Sequence, residues 1–163
     1  MADHRRADRG LAVPVTLAGG LATYLSLFFT AFGAATILPG FSEIVFTSLV
    51  LAARQDWPLL LAIATAGNTL GGVVNWLLGR FLLHWQDRKW FPVSTRRLEQ
   101  AGALFARYGY PLLLLSWLPI IGDPITLAAG VLKARFWPFL ILVLIGKAAR
   151  YGVLAWAALA STA

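Results

Sequence analysis

No cysteine occurs in the chain, so neither a disulfide framework nor a thiolate site is open to it, and the redox compartment stays undetermined. The two histidines, His4 and His84, are too few and too scattered to make a zinc set. Charge is scarce as well. Only 13% of the 163 residues are Asp, Glu, Lys or Arg, where soluble domains carry roughly 25%. Acidic residues are the rarer sign, 7 against 14 Lys plus Arg, which leaves a net charge of +7. These shortages exclude a soluble enzyme and a disulfide scaffold. The chain also has no metal set, no activated nucleophile pair and no cofactor fingerprint, so a non-enzymatic protein with no metal and no cofactor is expected.

Apolar residues are abundant instead: 59% of the chain, with a mean hydropathy of +0.72. Behind a polar tail, residues 1–10, no charged side chain occurs from Leu11 to Pro39, more than the ~20 residues a bilayer crossing needs. Arginines ahead of an apolar run also suit a signal peptide. This run, however, outlasts a ~7–15-residue signal core and lacks a small-residue cleavage pattern, so an uncleaved helix is expected. The next piece, Gly40 to Ala53, contains Glu43 and is too short to cross. It reads as a re-entrant or interfacial segment. Trp57–Pro58 then opens a full span to about Leu83, with Pro58 in the first turn, where its missing N–H is harmless.

Residues 84–110 form the one long polar connection. Ser94 is suited to cap a helix, which places Leu98, Ala101, Gly102, Phe105 and Tyr108 on one face and Arg96, Glu99, Gln100 and Arg107 on the other. The pattern predicts an amphipathic helix on a membrane surface, with Trp85, Trp90 and Tyr108 as interfacial anchors. A plain soluble loop helix is the alternative. Pro111 to Leu132 is apolar again but broken by Pro119, Gly122, Asp123 and Pro124, and Trp137–Pro138 opens a last span that contains Lys147 and Arg150.

The two broken stretches match. Leu38-Pro39-Gly40-Phe41-Ser42-Glu43 and Leu118-Pro119-Ile120-Ile121-Gly122-Asp123 share a Leu-Pro, a small residue and a carboxylate at an offset of 80. The same offset pairs Trp57–Pro58 with Trp137–Pro138, Gly72–Val73 with Gly152–Val153, and Trp76 with Trp156. An internal duplication follows, with a first repeat at about 11–83, a connector at about 84–110 and a second repeat at about 111–163, all within one membrane domain, 11–163. Basic residues in the tail and in the 80–107 region put both on the cytoplasmic side, so the N-terminus is expected inside and the C-terminus outside. The expected fold is an all-α polytopic membrane protein. It is built as an inverted repeat of a re-entrant hairpin plus a transmembrane helix, with a surface amphipathic helix between the repeats.

Seventeen of the 21 charges lie in the tail, turns and connector, where they set orientation and give no support to nucleic-acid binding. The other four, Glu43, Asp123, Lys147 and Arg150, lie inside apolar segments, where charge is costly and usually faces protein, water or a partner. One reading makes Glu43 and Asp123 carriers of protons or of a headgroup amine, and Lys147 and Arg150 a phosphate site. The other reading is a pair of structural ion pairs that dock the hairpins. Pro39, Gly40, Pro119, Gly122 and Pro124 mark the hairpin breaks. Gly67, Asn68, Gly71 and Gly72 suit close helix packing, with substrate contact as the second reading. No phosphate loop is formed, since no strand precedes these glycines.

LPGFSEIVF, GNTLGGVVNWLLGR, LLLSWLPIIGDPITLAAGVL and GKAARYGVLAW together resemble the DedA (VTT, SNARE-associated Golgi protein) family, in its YqaA-like branch, over about residues 20–160. The resemblance implies two opposed re-entrant hairpins and flipping or scrambling of phospholipids or polyprenyl-phosphate lipids, with proton-dependent membrane homeostasis. It matches Glu43 to the family's hairpin acid. Ser116 and Gly122 stand where typical members carry arginines around the second Leu-Pro, which leaves Lys147 and Arg150 to supply positive charge. An inner-membrane lipid transporter is therefore expected, with lipids and protons as partners and scope for a homo-oligomer. A proton-coupled carrier of a small solute or ion, and a membrane-organising protein without transport, are the alternatives.

Overall fold

A computed structural model describes residues 17–35, 41–52, 56–81, 94–119 and 121–161. Among the described residues all regular structure is helical: α1 (Leu17–Ala34), α2 (Phe41–Ala52), α3 (Trp57–Phe81), α4 (Thr95–Tyr108), a 3-10 helix (Tyr110–Trp117), α5 (Gly122–Val131) and α6 (Phe136–Ala160). The polar tail, Pro39, Gly40, Trp85 and Trp90 lie outside the described residues. Among the described residues two helices, α3 and α6, are long and apolar enough to cross a membrane. At ~1.5 Å per residue their 25 residues each run about 37 Å. Helix α1 covers 18 residues within the long uncharged run.

The element bounds repeat at the offset seen in the sequence. Shifting α3 by 80 gives 137–161, one residue from α6, and shifting α2 gives 121–132, which brackets α5. The main packing pairs also interchange when the halves are exchanged. Helix α1 packs on α3 as the 3-10 helix packs on α6, α2 packs on α6 as α5 packs on α3, and α3 and α6 pack together. Proline opens both long helices in the first turn, at Pro58 and Pro138. The α5–α6 connection ends α5 with Lys133 in the left-handed region (φ 55°). Ala134 N–H bonds to Ala129 O (2.9 Å) and Lys133 N–H to Gly130 O (2.9 Å), a Schellman arrangement that reverses the chain within four residues.

Helix α3 lies between α1 and α5, and its glycines set how closely each approaches. A Cβ on Gly67 would run into the Phe28 carbonyl, and one on Gly71 would meet Ala35 Cβ and, at 2.7 Å, the Phe32 carbonyl. A Cβ on Gly79 would strike the Leu127 carbonyl, and one on Gly130 the Trp76 carbonyl, so α3 and α5 meet backbone to backbone.

Two apolar cores result. One joins Trp76, Leu98, Phe105, Leu113, Ile125, Leu127, Phe139 and Val143; the other joins Leu27, Phe46, Val50, Leu60, Ala64, Tyr151 and Ala155. Each draws on opposite ends of α3 and α6, so these helices run antiparallel and the cores flank their common midpoint.

Two expectations need correction. The apolar face of α4 is taken by protein: Leu98, Ala101 and Phe105 are buried in the first core against α5 and the 3-10 helix, while Tyr108 is exposed. Ser94 does occupy the N-cap, but its side chain makes no capping bond, and its carbonyl receives Leu98 N–H at 3.0 Å. The apolar stretch after Tyr110 winds as a 3-10 helix over eight residues, longer than such helices usually run.

Candidate functional site

Between the two cores lies a polar layer at the middle of α3 and α6. One stripe of α3, Thr65, Asn68, Gly72 and Asn75, supplies its floor, and all four residues are buried. Gly72 packs beside the lysine stem, where even a Cβ would make only ordinary contact, 3.8 Å from Lys147 Cε.

Lys147 on α6 is 3% exposed, and its ammonium donates to Asn68 Oδ1. Asn68 Nδ2 donates to the Tyr151 hydroxyl (3.1 Å), which donates in turn to Ser42 Oγ on α2 (3.0 Å). This chain ties α2, α3 and α6 together through side chains alone. Beside it, Arg150 pairs with Glu43 in the first turn of α2, the one ion pair among the described residues. A second polar link runs the other way. Asn75 Nδ2 donates to the Ala35 carbonyl (2.8 Å) and lies 3.5 Å from Thr126 Oγ1, which donates to the Asp123 carbonyl (2.8 Å).

Asp123, Lys147 and Arg150 line one cavity, with Ser42, Asn68 and Ser116. Its volume is about 10 Å³, the scale of a single water. Asp123 has no ion-pair partner among the described residues, and Ser116 Oγ is buried there without a hydrogen bond to any of them. Outside the cavity, Glu43, Trp117, Pro119, Arg150, Val153 and Leu154 line a mostly apolar groove of about 440 Å³. Arg150 therefore borders both spaces. The other hairpin residues frame the layer: Gly122 begins α5 with its Cα against the Ser116 carbonyl, Pro124 sits in the first turn of α5, and Pro119 lies in the turn before it. No group of three metal-ligating side chains occurs among the described residues.

A family model described as the VTT domain matches residues 13–158. The chain belongs to the VTT domain family. It is 41% identical over 129 residues to inner membrane protein YqaA of Escherichia coli strain K12, covering 77% of this chain and 84% of that protein. It is 37% identical over 132 residues to an uncharacterized protein of Haemophilus influenzae, covering 77% and 80%. A Rickettsia prowazekii protein is 24% identical over 128 residues. No solved structure matches significantly.

Within this VTT domain the four apolar-segment charges gather at one layer, and Gly67 and Gly71 sit in the α1 contact. Asn68 does more than pack, since it bonds both Lys147 and Tyr151. Gly122 has no room for a larger side chain, because any Cβ would strike the Ser116 carbonyl. The cations at this layer therefore come from α6. The sequence reading overlooked Ser42, Thr126 and Tyr151. Tyr151 follows Lys147 by four residues, one turn on the same face, so helical spacing could have found it, whereas Ser42 and Thr126 carried no such signal.

Proposed function

We propose that this chain is a multi-pass inner-membrane lipid transporter, a flippase or scramblase for a phospholipid or a polyprenyl-phosphate lipid. In this reading α2 and α5 belong to re-entrant hairpins entering from opposite faces. At 12 and 10 residues they are about 18 and 15 Å long, against a ~30 Å hydrocarbon core. Helices α3 and α6 then span, which puts the polar layer near the midplane. Positive-inside placement of Arg80, Arg96, Arg97 and Arg107 sets the N-terminus in the cytoplasm and the C-terminus outside.

The observation that carries the reading is the position of Arg150, between a buried polar cavity and an apolar groove. A phosphate-bearing lipid has matching halves: an anion for a guanidinium, which binds phosphate bidentately, and a chain for the groove. Such a phosphate competes with Glu43 for Arg150, and Glu43 released from the pair takes up a proton or a headgroup amine. Asp123 and Lys147 lie on the inner side of the same route. A cavity of about 10 Å³ does not hold a headgroup, so this arrangement is closed and transport requires α2 to part from α6.

The test is translocation of labelled phospholipids in liposomes, with and without a pH gradient, for wild type and Glu43→Gln. Lipid movement without a gradient, lost in Glu43→Gln, is the expected result. The water-sized cavity favours a second reading, a proton-coupled carrier of a small ion. Gradient-driven solute uptake with no lipid movement would select it, and neither activity would leave a membrane-organising role.

A further inference from the structure

We propose that α4 and the start of α5 form a docking groove for one anionic phospholipid, separate from the polar layer. The groove holds about 540 Å³ and is lined by Arg97, Gln100, Leu104 and Arg107 of α4 with Ile121 and Pro124 at the head of α5. These four α4 residues fall at intervals of three, four and three, a stripe beside the buried face, and Ala101 and Ala103 flank it in the lining. Arg97 and Arg107 stand ten residues, about 15 Å, apart along the helix, and both are exposed. Neither pairs with a carboxylate among the described residues. The Arg107 guanidinium rests 5.3 Å from the Tyr108 ring centroid, which orients it without neutralising it. Glu99, the single acid of α4, is two residues from Arg97 and so projects from a different side of the helix.

Charge and surface together select the occupant. Among the described residues the lining carries two cations and no acid, and between them lies a floor of Leu104, Ile121 and Pro124. A small soluble anion would use only an end of such a groove. A phospholipid uses both parts, its phosphate on a guanidinium and a chain across the floor. Since the apolar face of α4 is already buried in protein, this stripe is the part of α4 left for lipid. The proposal rests on the membrane reading of α3 and α6 and not on transport. It also has a structural consequence: Pro124 lines this groove while its neighbour Asp123 lines the polar cavity. A seated lipid therefore lies against the backbone that carries Asp123.

The experiment uses the full chain in phosphatidylcholine nanodiscs doped with phosphatidylglycerol or phosphatidylcholine bearing a photoactivatable acyl chain. Crosslinks are mapped by mass spectrometry. Phosphatidylglycerol is expected to label the 101–108 and 121–124 peptides about tenfold more than phosphatidylcholine does, because its headgroup keeps the net negative charge that a guanidinium at an end of the groove attracts. Arg97→Gln/Arg107→Gln is expected to abolish the difference, and Arg97→Lys/Arg107→Lys to retain most of it. Equal labelling by the two lipids in wild type overturns the proposal, and that comparison needs no variant to fold. Competition by millimolar inorganic phosphate overturns it too, because it would reveal a free-anion site. No transport assay enters, so failure here leaves the polar layer's role standing, and an inactive liposome assay leaves the groove standing.

Discussion

Helices α2 and α5 open alike, with Ser42-Glu43 and Gly122-Asp123, yet they are held in opposite ways. From Gly122 to Gly130 every residue of α5 except Asp123 is buried, and glycines bring its backbone onto that of α3. Helix α2 buries only Ser42, Phe46 and Val50, a single stripe at four-residue spacing. Open grooves of about 440 and 340 Å³ reach its acid. The acids differ accordingly. Glu43, on the loosely held helix, is neutralised by Arg150, whereas Asp123, on the clamped helix, has no ion-pair partner among the described residues. Tight packing thus holds Asp123 in place with no direct ion pair among the described residues, Lys147 lying across the same small cavity, while α2 is held by its apolar stripe together with the Ser42 bond and the Glu43–Arg150 pair.

Four substitutions test this contrast, from the largest effect to the smallest. Gly130→Val drives a branched side chain into the Trp76 carbonyl, where neither backbone can yield, and should cost about 3 kcal/mol or more. A thermal midpoint in detergent near the wild-type value would show that the α3–α5 clamp is looser than described. Arg150→Gln makes Glu43 resemble Asp123 by stripping its partner. With the Glu43 side chain 27% exposed, the expected loss is about 1–3 kcal/mol, below that of a fully buried pair. Glu43→Gln/Arg150→Gln should recover much of it, and a double variant no better than the single would mean that the pair does not couple. Tyr151→Phe removes the donor to Ser42 and the acceptor for Asn68, and should cost about 1 kcal/mol by the same melt. Gly33→Ala, on α1 where a Cβ meets nothing within 4 Å, should be neutral or stabilise by up to about 1 kcal/mol through helix propensity. A large loss there would show that α1 is more crowded than its contacts indicate.

Much of the fold was legible in the sequence because hydropathy and helical period are local properties. Trp-Pro marked the starts of α3 and α6, the 80-residue register foretold matching helix bounds, and the four charges in apolar segments are the ones that meet at the polar layer. The misses were tertiary. Spacing put Lys147 and Arg150 on one face of α6 but could not assign partners, and Glu43 went to Arg150 while Lys147 went to a neutral amide. The apolar stripe of α4 was visible, but whether lipid or protein would cover it depended on where α5 and the 3-10 helix lie. Nothing in residues 110–117 distinguishes a 3-10 from an α-helix by period alone.

By itself the sequence determined that this is a helical VTT domain chain with apolar helices of spanning length and four charges placed where lipid would penalise them. Composition and periodicity suffice for the helices and the misplaced charges, since each helix meets its surroundings one face at a time, and the family rests on the motifs and the match to relatives. The tertiary structure alone decided which acid is paired and which helix is clamped. Residues 43 and 150 are 107 positions apart, as Gly79 and Gly130 are 51, and such contacts depend on how remote helices pack. That packing turned scattered glycines, amides and charges into one dense interface and one polar layer.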